Sequence, residues 1–362
     1  MSGSQDPRSP STHHHSALRR RGVRVVRRLV VLGAGAAVLA GCGGSDGGDP
    51  ETTTAGKAAT TRAFSLTLDF APNAAHTGLY LAQEEGLFAE RQVGVKIRVP
   101  GSGADGAKLL ATGKTDLAVM DIHDVALARE KGADIVAVGA IVQRPLAAVL
   151  AAKDVARPRA LEGRTVGVTG LPSDDAALDQ IVRGDGGDPR KVKRVTIGFE
   201  AVASVVSGKV DAAIGFWNAE GVALQARRPG TNVFRLDAYG APSYPELLLV
   251  ATSKTLTRSG DAVLRVAEAV GQGYAVAAEA PATDDGSAIA ALRSGSGDRT
   301  IDPRTTAEQL QAVQPAFRDE QGRTGTLDRA TMRRWATWEA QVGITKTPPD
   351  VTKLVWSRAP GA

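Results

Sequence analysis

Trp217, Asn218 and Glu220 fall on one short stretch and combine three kinds of contact. An indole face stacks on a planar ring. A carboxylate accepts from an exocyclic amine or pairs with a protonated ring nitrogen, a stronger bond than a neutral one. The competing reading is a tryptophan packed inside the fold with an acid at a helix start, where acids are favoured anyway. Asp69, Phe70, Asn73 and His76 form a second set. There an imidazole and an amide supply both donors and acceptors, or else Asn73 shapes the turn after Pro72 and His76 caps a helix. Asp121 with His123, and Tyr244 with Glu246 around Pro245, read either as ligand contacts or as turn and hinge structure. Ser173 and Asp174 sit at an expected helix start, where capping accounts for both and the exposed amides could hold an anionic group. The whole set is acidic and aromatic. A site for sulfonate, nitrate or phosphate gathers Arg, Lys and backbone amides instead. A neutral or cationic aminated heterocycle is therefore the expected ligand.

The elements that position these residues follow from short apolar runs alternating with amphipathic stretches from residue 63 onward, an α/β pattern. Strands are expected at 64–68, 95–99, 117–120, 135–142, 164–168, 192–197, 212–215 and 247–251. Helices are expected at 77–85, 106–112, 125–131, 174–183 and 202–206, and then at 261–280, 305–314 and 327–342. One internal similarity organises them. Residues 111–119 (ATGKTDLAV) resemble 206–214 (VSGKVDAAI), each a helix end, a glycine suited to a left-handed cap, a polar turn and a short strand. Two such units imply two lobes on one plan. In open α/β sheets ligands bind beyond the carboxyl ends of the strands. That rule selects the loops at 69–76, 121–124, 170–175, 216–220 and 239–246. Aromatic residues are only 4% of the chain, yet Trp217, Tyr239 and Tyr244 gather in these loops. The expected site is a cleft between two lobes.

The chain's net charge of +5 invites a nucleic-acid reading. Seven arginines and one acid precede Cys42, so the remainder carries about −1. No basic stripe with interleaved aromatics remains, and nucleic-acid binding is not expected. Cys42 is the single cysteine, which leaves no disulfide or thiolate-metal site in the body of the chain. It follows an arginine-rich start, the apolar run 29–40 and the segment Leu39-Ala40-Gly41. This arrangement resembles a bacterial lipoprotein signal peptide with its lipobox, which implies a diacylated Cys42 on the extracytoplasmic face of the cell membrane. Residues before Arg19, with His13, His14 and His15, read as an extension or a misplaced start, not a metal site. Residues 42–62, rich in Gly, Thr, Asp and Ala, read as a flexible tether.

The segment 68–80 (LDFAPNAAHTGLY) resembles the opening motif of the NMT1/THI5-like family, and 82–88 (AQEEGLF) fits the helix and turn that follow it. So do 142–146 (VQRPL), 170–175 (GLPSDD) and 216–221 (FWNAEG), in the expected order. The resemblance covers roughly 64–252. It implies a two-lobed periplasmic-binding-protein-like fold of type II, with 63–155 plus 253–362 as one lobe, 156–252 as the other, and crossings near 153–161 and 251–254. It implies a solute receptor of an ABC importer, taking an aminopyrimidine precursor of thiamine, or riboflavin or another small heterocycle, without a cofactor. The partners are a permease and its ATPase, since this chain has no P-loop of its own. The class implies a monomer. Phe70 stands where a tryptophan is frequent in the family, which keeps a ring for stacking. Eukaryotic members are synthases that make the thiamine pyrimidine from pyridoxal phosphate. Their cysteine-rich motif has no counterpart after Cys42, so an enzyme is not expected.

Overall fold

The computed structural model describes residues 62–101, 106–170 and 172–362. The leader, Cys42 and the tether up to residue 61 lie outside the described residues. Among the described residues there are ten strands: β1 (Arg62–Thr67), β2 (Val93–Arg98), β3 (Leu117–Asp121), β4 (Val136–Val142), β5 (Ala147–Ala151), β6 (Thr165–Val168), β7 (Lys193–Thr196), β8 (Ala212–Phe216), β9 (Asn232–Arg235) and β10 (Leu247–Ala251). They form two five-stranded sheets, β2-β1-β3-β10-β4 and β7-β6-β8-β5-β9. In each sheet the first three strands are parallel and the last two connections are antiparallel. The sheets therefore share one plan, with β10 and β5 in equivalent places.

The repeated motif lies at equivalent turns. Gly113 and Gly208 both take the left-handed conformation, φ 68° and 75°, which only glycine adopts without strain. Three residues on, the Asp116 carboxylate accepts from the Ser65 backbone N–H at 3.0 Å, and Asp211 accepts from that of Thr165 at 2.9 Å. Each aspartate thus fastens its lobe's central parallel strand to the turn before the next.

The lobe boundaries differ from the expectation. β5 belongs to the second sheet and β10 to the first, so the chain crosses at 143–146 and 240–246 rather than near 153–161 and 251–254. The reason is local. β5 is a fully buried apolar run directly after the fully buried β4, and only Gln143 to Leu146 separate them. An apolar pattern of this kind cannot report which sheet a strand joins. β5, β9 and the helix Ser287–Ser296 are additional to the expected elements.

The outer face of the first sheet packs against the helices Thr77–Glu84, Ser253–Glu279 and Ser287–Ser296. The helices approach closely at Gly78, where a Cβ would stand 2.6 Å from the Tyr274 ring. The Tyr274 hydroxyl continues past it to donate to the Ala75 carbonyl at 2.7 Å. A second core joins the two sheets, combining Leu248 and Val250 of β10, Val149 of β5, and Trp335 and Trp338 of the helix Arg329–Gln341. That helix is the element that carries Glu339 to the junction of the lobes. Among the described residues no helix is long and apolar enough to cross a membrane.

Candidate functional site

The carboxyl ends of β1, β3, β6 and β8 converge on one cleft of about 420 Å³. This lies within the range of roughly 300–1,000 Å³ usual for small-molecule sites. Asp69, Phe70, Asn73, Asp121, His123, Ser173, Asp174 and Glu220 line it, as the strand-end rule expects.

Asp69 follows β1 and is held by His76. Asn73 donates its backbone N–H to His76 Nδ1 at 3.1 Å, so that nitrogen carries the lone pair and Nε2 carries the proton. Nε2 then donates to Asp69 Oδ1 at 2.9 Å. The Asn73 side chain accepts from the Ala75 N–H at 2.9 Å, completing a reciprocal cap on the short helical turn Ala74–His76. His76 is fully buried and does not line the cleft. Its place is behind Asp69, which it orients.

Asp121 ends β3 and caps the helix Ile122–Glu130, accepting from the N–H groups of His123 at 2.7 Å and Asp124 at 3.4 Å. Asp174 accepts from the Thr169 hydroxyl at 2.6 Å, and Glu220 from the Phe216 N–H at 3.0 Å. Burial raises the pKa of Asp174 and of Glu220 against these hydrogen bonds. Burial, and then the neighbouring Glu246 charge, lift Asp121 well above the usual carboxylate range. Burial and the Asp121 charge push Asp124 up to about 8. Burial works to lower the His123 pKa, but the carboxylates of Glu339 and Asp121 overcome it and raise it to about 10. Among the described residues the ionisable lining of the cleft comprises five acids (Asp69, Asp121, Asp124, Asp174 and Glu220) against His123 and Lys131.

Four further expected residues stand outside the cleft. Trp217 donates its Nε1–H to the Pro145 carbonyl at 2.9 Å and lies beneath the Arg235 guanidinium, 4.2 Å from its ring centroid. One face of its ring is covered by Arg235, and the ring does not line the cleft. Asn218 is fully buried on the π-helical turn Trp217–Gly221, and neither amide atom has a partner. Tyr244 is fully buried and stacks on Trp338 with centroids 5.8 Å apart. Glu246, also fully buried, accepts from the N–H groups of Leu146 and Ala147, the latter at 3.4 Å. It thereby ties one crossing segment to the other.

The rings that do face the cleft are Phe70, Phe199 and Phe216. Phe70, beyond β1, and Phe199, beyond β7, meet edge to face from opposite lobes with centroids 4.6 Å apart. The sequence offered a signal for both missed rings. Phe199 follows an expected strand whose end loop was not counted, and Phe216 directly precedes Trp217. Asp124 lay inside an expected loop but was passed over for its neighbours.

Residues 73–284 match the family model described as NMT1/THI5 like. The chain is 36% identical over 234 residues to the formylaminopyrimidine-binding protein of Halalkalibacterium halodurans, covering 64% of this chain and 71% of the relative. It is 22% identical over 220 residues to a 4-amino-5-hydroxymethyl-2-methylpyrimidine phosphate synthase of Saccharomyces cerevisiae, covering 57% and 64%. Among solved structures it is similar to the alkanesulfonate-binding protein SsuA from Xanthomonas axonopodis pv. citri bound to MOPS. The TM-score is 0.63 at 17% identity, over 81% of this chain and 98% of the other. That likeness carries the two-lobed binding-protein fold and not the ligand. The family match begins at the Asn73 cap, just after Asp69 and Phe70, and takes in the other loops that build the cleft from both lobes; on that span the chain belongs to the NMT1/THI5-like family.

Proposed function

We propose that this chain is a lipid-anchored, extracytoplasmic solute receptor of an ABC importer, binding an aminopyrimidine precursor of thiamine by closure of its lobes. The observation that carries this reading is the cleft's chemistry: among the described residues, five acidic side chains and three phenylalanine rings against one lysine and one histidine. A planar heterocycle stacks against the phenylalanine faces. Its exocyclic amine donates to carboxylates from both lobes, Asp69 and Glu220 among them. Asp69 presents an acceptor because the His76 Nε2–H fixes its other oxygen. Contacts from both lobes are what allow a ligand to favour the closed form over the open one. The formylaminopyrimidine-binding relative supports the same ligand class. Acylation of Cys42 supplies the anchor, a permease and its ATPase are the partners, and the receptor acts as a monomer. No bond is made or broken.

The test is a calorimetric panel of formylaminopyrimidine, 4-amino-5-hydroxymethyl-2-methylpyrimidine, thiamine, riboflavin and an alkanesulfonate. One-to-one binding of an aminopyrimidine is expected, weakened at least tenfold in Glu220→Gln and in Phe70→Ala but little changed in Trp217→Phe. Riboflavin binding would keep the receptor and change its cargo. Sulfonate binding, or turnover of pyridoxal phosphate to a pyrimidine phosphate, would overturn the reading.

A further inference from the structure

Asp121, His123 and Glu246 bring one ligand atom each to within 4.8 Å of one another where the cleft meets the crossing segments. His123 Nε2 stands 4.0 Å from Glu246 Oε1. His123 and Glu246 are 2% and 0% exposed, while Asp121 opens on the cleft. Two features separate this group from an ordinary acidic cluster. First, Glu246 Oε1 is buried, no N–H or hydroxyl donates to it, and it faces the Asp121 carboxyl group. Its other oxygen is taken by the backbone of the first crossing segment, which fixes the carboxylate in place. Second, Glu339 holds His123 Nδ1 at 2.7 Å. A metal-ligating imidazole characteristically gives its second nitrogen to a carboxylate in this way, which sets the tautomer and aims the other nitrogen at the ion.

The charge points the same way. Asp121, Glu246 and Glu339 surround a single imidazole, and among the described residues no Lys or Arg forms an ion pair with any of them. Buried carboxylates without compensation are costly, so protons or a cation must neutralise them. One oxygen from each of two carboxylates and one imidazole nitrogen form a mixed O/N set suited to a borderline divalent ion.

We propose that Asp121, His123 and Glu246 bind one divalent transition-metal ion of the Zn²⁺ or Mn²⁺ type at the base of the cleft. Three protein ligands leave coordination positions open, and Asp121 and His123 turn them toward the cleft. As the ion enters, Nε2 exchanges its 2.9 Å hydrogen bond with the Tyr244 hydroxyl for the metal bond. Protons shared among the three groups leave to solvent. The proposal does not depend on the identity of the cargo.

The experiment uses the full chain, stripped with a chelator, with His13, His14 and His15 replaced by alanine in every arm so that they cannot supply the signal. Zn²⁺, Mn²⁺ and Co²⁺ are titrated by calorimetry in two buffers of different ionisation heat, with no heterocycle present. One equivalent per chain, proton release, and Co²⁺ absorption bands in the visible are expected. Affinity should fall at least tenfold in Asp121→Asn and in Glu246→Gln. Asp121 lies on the cleft wall, so its variant carries the test if Glu246→Gln does not fold. Binding absent below 100 μM, or equal in wild type and Asp121→Asn, would leave protons as the neutralising charge and overturn the proposal.

Discussion

The two lobes have the same skeleton and different mouths. Each has parallel strands entered through a left-handed glycine and an aspartate latch, and each receives one antiparallel strand from across the junction. The equivalent strands β3 and β8 then diverge within a residue of their ends. β3 finishes in Asp121, whose carboxylate caps a nine-residue α-helix. β8 finishes in Phe216 and runs into a π-helical turn, where Glu220 folds back onto the Phe216 N–H. π-Turns concentrate at functional sites because their extra residue re-aims a side chain. Here the turn directs Glu220 at the cleft and sends Trp217 away from it. The first lobe contributes three of the five lining acids, and the second contributes Phe199 and Phe216. A plan that repeats therefore supplies stability, and the strand ends where it stops repeating supply recognition.

The largest effect is expected at the seam between the lobes. Glu246 sits in the second crossing, accepts from the first, and faces His123. Glu246→Ala leaves two buried N–H groups and part of the His123 charge without a partner. Loss of one member of a buried pair costs about 3–5 kcal/mol. Denaturant unfolding should show that loss as a lower midpoint. An effect below about 1 kcal/mol would mean that the lobes are joined by apolar packing alone.

The next effect separates the lobes by pH. His123 has a folded pKa of about 10 against an ordinary 6.5, so its stabilising contribution is complete below pH 6.5 and drains away as pH rises toward 10. Asp124, at about 8 against an ordinary 3.8, works in the same direction, because the folded form holds its proton longer over that interval. Both groups lie on the first lobe's helix Ile122–Glu130. In chelator, stability should therefore fall on going from pH 6.5 to 8, on the order of 2 kcal/mol for His123. Unfolding midpoints across that range check it. A slope that survives intact in His123→Gln would assign the dependence to other groups.

Much of the skeleton was legible because local chemistry and topology agree there. The left-handed glycines, the strand-end loops and the paired motif 111–119 and 206–214 each need only neighbouring residues to be read. The exchange of β5 and β10 between sheets was not legible. Both strands are uniformly buried, and nothing in Ala147–Ala151 or Leu247–Ala251 records which neighbour will pair with them. At the cleft, Asp69, Asp121 and Glu220 lie where the strand-end rule put them, although each also has a structural partner, His76, a helix N-terminus and the Phe216 N–H. The place of Trp217 was not legible, because stacking on a ligand and stacking beneath Arg235 make the same demand on the sequence. His76 sits behind Asp69 and in the Asn73 cap, and from the sequence an imidazole that touches ligand and one that orients a carboxylate differ only in burial.

The smallest effect is the sharpest test of the shared plan. Asp116 accepts from the Ser65 N–H and from its hydroxyl at 2.8 Å, and approaches Arg258 at 3.4 Å. Asp211 accepts from the Thr165 N–H and approaches Arg164 at 3.3 Å. Both turns are partly solvated, so the charged hydrogen bonds contribute about 1 kcal/mol rather than the 1.5–3 expected in a buried site. If the latches are equivalent, Asp116→Ala and Asp211→Ala should lower stability by similar amounts. Asp116→Ala should cost a few tenths more, for the serine hydroxyl that the second lobe lacks. The sites lie in different sheets and share no partner, so the double variant should show the sum of the two within about 0.5 kcal/mol. A cost confined to one lobe would mean that the repeated sequence is used for stability only once, and that its second copy shapes the turn through glycine alone.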